Sequence, residues 1–151
     1  MKKLSSKSFL CIAIMFMIVL CMPRNVFADD TGGGINDNYQ RWEISGDFGY
    51  RVLNEGTSNE EIIIGNYQGS DTEVTVPSEI DGKPVTVIGA FMFLNCSEVT
   101  KVTMPDTIKI IAKRAFEGCT SLTDITLPDS VEELNSAAFD GCSSLTTINI
   151  P

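Results

Sequence analysis

Seven columns of residues recur every 23 positions in the C-terminal half of this chain, and that interval restricts the fold more than any other feature. Phe93, Phe116 and Phe139 form one column, Cys96, Cys119 and Cys142 a second, and Pro105, Pro128 and Pro151 a third. The same step relates Ile88/Ile111/Leu134, Val99/Leu122/Leu145, Val102/Ile125/Ile148 and Met104/Leu127/Ile150. A period in the twenties belongs to a solenoid, in which each repeat is one supersecondary unit stacked on the next. A coil of this length cannot bury its apolar side alone, so the phenylalanines, leucines and isoleucines must be sandwiched between neighbours.

The pattern inside one coil predicts its local structure. In SLTDITLP, Leu122, Ile125 and Leu127 alternate with Asp124 and Thr126, the signature of a strand with one wet face. Pro128, which has no N–H to donate, ends that strand. Val131 and Leu134 return to the core across the following turn. The Ala-Phe segments at 115–116 and 137–139 suit short helical or 3₁₀ stretches, closed by Gly118 and Gly141. The first solenoid strand falls at 73–77, and the next unit is longer, since Pro77 and Pro105 lie further apart than the later prolines do. The surplus sits around Asp81-Gly82-Lys83-Pro84, a turn insertion.

The N-terminus carries a different signal. Lys2, Lys3 and Lys7 precede an apolar run from Phe9 to Met22, and Val26 and Ala28 place small residues before a cleavage point at Asp29. This is the order of a secretory signal peptide over residues 1–28. The apolar run is shorter than the roughly 20 residues that span a bilayer, which disfavours an uncleaved anchor. Leu20 before Cys21 is too bulky for a lipidation site. The segment holds four of the eleven Lys+Arg and none of the twenty Asp+Glu, so its removal leaves seven against twenty, a net −13. Such acidity disfavours nucleic acid or an anionic membrane as partner, since both need a basic footprint. Cys11 and Cys21 leave with the signal. The three remaining thiols repeat in register, which fits one small buried niche per coil better than a disulfide.

Residues 29–40 form a Gly-rich acidic leader, expected to be flexible. Residues 41–68 contain FGYRVL at 48–53 and EEIIIGNY at 60–67 around a turn-rich NEGTSN, a β-hairpin that would cap the first coil, with Trp42 and Ile44 in a short strand before it. The repeats occupy 69–151.

The run AF-x-x-C-x-x-L-x-x-I-x-L-P-x-S-V at 115–131, partly repeated at 138–151, resembles the BspA-like leucine-rich repeat. The lead-in from 43 to 89 is also similar to the opening of many secreted proteins of that family. The resemblance implies a right-handed β/α superhelix, mostly β, with a concave parallel sheet and short helical turns on the convex side. It implies bacterial surface or secreted proteins that bind other proteins or surfaces, often as adhesins. Met92 replaces alanine before Phe93, a tolerable change. Stopping at Pro151 would leave the last coil uncapped, an aggregation liability. A longer parent chain, end-to-end stacking on a partner through that coil, or a frayed final strand would each account for it.

No constellation for catalysis is legible. The chain has no histidine, which removes His-based general acid–base chemistry, Ser–His and Cys–His nucleophiles and His metal ligands. Cysteines at this wide, regular interval match no zinc spacing, and the GGG at 32–34 lacks the lysine of a phosphate loop. No cofactor or metal is expected. The candidate ligand face is the wet side of the strands: Lys101, Thr103, Asp124, Thr126, Thr147 and Asn149, preceded by Glu73 and Thr75. A threonine column also suits an exposed strand with no ligand at all. These features predict a non-catalytic secreted interaction module for protein or glycan. The alternatives are a targeting domain of a larger secreted enzyme and a spacer that binds nothing.

Overall fold

The computed structural model describes residues 42–150, and the signal segment and acidic leader expected at 1–28 and 29–40 lie outside them. Ten strands follow in order: β1 (Glu43–Ser45), β2 (Phe48–Leu53), β3 (Glu61–Tyr67), β4 (Glu73–Thr75), β5 (Glu79–Ile80), β6 (Lys83–Ile88), β7 (Lys101–Thr103), β8 (Ile110–Ile111), β9 (Asp124–Thr126) and β10 (Glu133–Leu134). Among the described residues these build a β-solenoid of about three turns.

Two parallel ladders run along the stack. One is the expected sheet, β4–β7–β9, with Val74, Val102 and Ile125 in register and buried. In the other, β3–β6–β8–β10, only β3 is expected as a strand, from the hairpin at 60–67. This ladder arises because the chain turns back after each proline and pairs at Ile88, Ile111 and Leu134. Ile88 and Ile111 are buried, but Leu134, expected in the core, is exposed and Val131 only half-buried. Between the ladders the Phe rings stack face to face. Phe93–Phe116 and Phe116–Phe139 centroids are 4.9 and 5.1 Å apart, with interplanar angles of 12° and 9°. This places the three phenylalanines in the single column that their spacing demands.

The Ala-Phe segments are not helical; no helix occurs among the described residues. Alternate N–H groups are used differently. Leu94 and Cys96 donate back to Phe91 and Phe93, whereas Phe93 and Asn95 donate to Ala115 and Glu117 of the next coil. Phe116 and Gly118 likewise donate to Ala138 and Asp140. A helix would need every donor for its own turn, so the demand for bonds between coils rules it out. The corner is made by Phe91, Arg114 and Ala137, each with φ +58° and each one repeat period from the next. A side chain in that left-handed region costs roughly 1–2 kcal/mol. The corner places a left-handed residue at the same point in every coil.

The N-terminal strands behave differently. β1, β2 and β3 pair antiparallel, and β3 then joins β6 in parallel through Ile62–Val85 and Ile64–Ile88. The indole of Trp42 lies on Gly65, where a Cβ would collide with the ring, and the Arg51 guanidinium covers it 4.1 Å from the ring centroid. Tyr50, buried in β2, donates its hydroxyl to Glu43 at 2.7 Å and lies 3.1 Å from Asp81, tying the hairpin to the β5–β6 turn. That turn is the insertion expected at 81–84. Asp81 and Gly82 both have positive φ, as a two-residue hairpin turn between β5 and β6 requires.

Candidate interaction face

The face is fixed by strand parity. Within β4, β7 and β9 the middle residue points into the core, so the flanking residues on both sides point out. Register then aligns Glu73 with Lys101 and Asp124, and Thr75 with Thr103 and Thr126. The structure therefore brings together four of the six candidate residues, Lys101, Thr103, Asp124 and Thr126, in a two-column grid. Asn149 joins it through a single bridge to Thr126. Thr147 is exposed but lies in no strand. The fourth strand expected at this point is thus reduced to one bridge.

The charged column pairs internally. Lys101 Nζ lies 2.7 Å from Asp124 Oδ2, and both side chains remain about half exposed, at 45% and 54%. The hydrogen bond to Asp124 raises the Lys101 pKa, with a smaller push from Glu73. The second column is neutral. The hydroxyls of Thr75, Thr103 and Thr126 bond to no other described residue, in contrast to a neighbouring threonine column at the strand entrance. There Thr100 donates to Thr72 O and Thr123 to Thr100 O, at 3.1 and 3.2 Å. One column is spent on holding coils together, and the other faces outward.

The cysteine column is structural. Cys119 Sγ donates to Phe93 O and Cys142 Sγ to Phe116 O, both at 3.1 Å, so each thiol links its coil to the previous one. Cys96 and Cys119 are buried and Cys142 is half-buried, with all three reduced. Burial raises the Cys142 thiol pKa. A small residue with a donor at its tip is what this niche accepts, which explains the chemistry as well as the size.

A polar cluster on the second ladder escaped sequence reasoning. Glu61 accepts from Lys109 Nζ at 2.7 Å and from Thr86 Oγ1 at 3.1 Å, and Lys83 pairs with Glu60 at 3.4 Å. Thr86, Lys109 and Glu132 follow one another at the repeat period, so periodicity was the available signal, but their differing chemistry hid the column. Its two lysines are thus each paired with a glutamate at the start of β3 or just before it. Among the described residues no group of three or more His, Cys, Asp or Glu side chains is arranged to hold a metal ion.

The solenoid and its sequence columns define a class, the leucine-rich repeat proteins. The family model for the BspA type leucine rich repeat region matches residues 68–151, and the chain belongs to that family. The fold is similar to the leucine-rich repeat protein of T. pallidum, with a TM-score of 0.67 and 34% identity, over 74% of this chain and 50% of that one. It is also similar to a leucine-rich repeat protein of Bacteroides ovatus, at TM-score 0.64 and 26% identity, over 72% of this chain and 29% of that one. A third, from Bacteroides capillosus, shares the fold at TM-score 0.55 and 24% identity, over 72% of this chain and 97% of that one. The chain thus spans half or less of the first two proteins. No curated protein matches it. The scaffold is one commonly used for protein interaction, and its family is generally non-catalytic.

Proposed function

We propose that this chain is a non-catalytic interaction module, secreted or held at a cell surface, whose β4–β7–β9 sheet binds a protein or glycan ligand in an adhesion-like role. The observation that carries this reading is the outward threonine column beside the Glu73–Lys101–Asp124 column. These side chains project in register from a rigid ladder, and the threonine hydroxyls hold no coil together. A preorganised polar grid loses little side-chain freedom when a partner docks. The basic, apolar and small-residue sequence of segment 1–28 supports export. Among the described residues no helix is long and apolar enough to cross a membrane.

The face is tested by placing a photo-crosslinking residue at Thr103 and, in a second protein, at Lys113, an exposed residue of the coil outside any strand. Incubation with intact bacterial and host cell surfaces should give discrete adducts from the Thr103 protein that disappear when Lys101, Asp124 and Asn149 are changed together to Ala. Equal adducts from both positions, or survival of the adducts in the triple variant, would exclude the sheet as the binding surface.

A further inference from the structure

We draw no further inference here: the strongest candidate, the apolar face of the last described coil around Leu134, Phe139 and Ile150, carries nothing because nothing in the structure shows what covers it.

Discussion

The first and last described coils present the same column residues to opposite neighbours, and they differ in what those neighbours are. At the N-terminal side β3 supplies Tyr67, whose ring packs 5.2 Å from Phe93 and whose N–H donates to Met92 O. The hairpin therefore imitates a coil at its contact surface while being antiparallel within itself. Burial raises the Tyr67 phenol to about 12, partly offset by the hydrogen bond from Asp71 N–H. At the other side, among the described residues, Phe139 stacks on Phe116 alone. Phe93 and Phe116 are fully buried, while Phe139 is half-buried, Leu134 is 37% exposed and Ile150 64% exposed. Identical residues in identical columns thus differ in burial. In a solenoid burial is a property of the pair of flanking coils and not of the residue.

The sharpest way to break this comparison is to truncate one ring at each place. Phe116→Ala should cost about 3–5 kcal/mol, since a coil on either side prevents the cavity from collapsing. Phe139→Ala should cost about 1–2 kcal/mol, because one side of its ring is already uncovered. Urea denaturation of both variants measures the two values. Equal losses would mean that the last coil is as well packed as the middle one.

The hairpin can be probed without touching the phenylalanine column. Gly65→Ala drives a methyl into the Trp42 ring and must displace it. The expected loss is about 1–3 kcal/mol, an overpacking cost, accompanied by a red-shifted emission from Trp42, the chain's one tryptophan. An unchanged spectrum would show that the indole does not rest on β3.

Thiol chemistry should separate the coils kinetically. With iodoacetamide on the native protein, Cys142 should label first, and Cys96 and Cys119 only after unfolding in urea, because two are buried and one half-buried. The reactive species is the thiolate. A raised pKa keeps Cys142 protonated at neutral pH, so its labelling rate should climb at a higher pH than that of a free cysteine. Rapid, equal labelling of all three at neutral pH would overturn the niche.

The smallest effect is expected on the polar face. Lys101→Ala removes an exposed ion pair, and pairs of this kind add little to stability. The melting temperature should stay unchanged while adduct formation at Thr103 falls. A clear loss of thermal stability would assign Lys101 to the scaffold and weaken the case for a binding role.

The solenoid, the register of its columns and four residues of the polar grid were legible in the sequence because each repeats a pattern along the chain, and the turn at 81–84 because it interrupts that pattern with Gly and Pro. Tyr67 was not, since its separation from Phe93 is longer than one period and drops it out of the column. Its role comes from the hairpin's position. The expected helical turns failed for a related reason. Local propensity at Ala115-Phe116 ignores the Ala138 and Asp140 carbonyls that compete for the same donors.

Periodicity therefore determined which residues stack, because a fixed step along a regular coil returns each side chain above its predecessor. The tertiary structure alone decided the second ladder, the left-handed corners, the thiol-to-carbonyl links and the unequal burial of the three phenylalanines. The ladder and the thiol links depend on backbone groups of adjacent coils and the unequal burial on which coils flank each ring, and a one-dimensional pattern of side chains records neither.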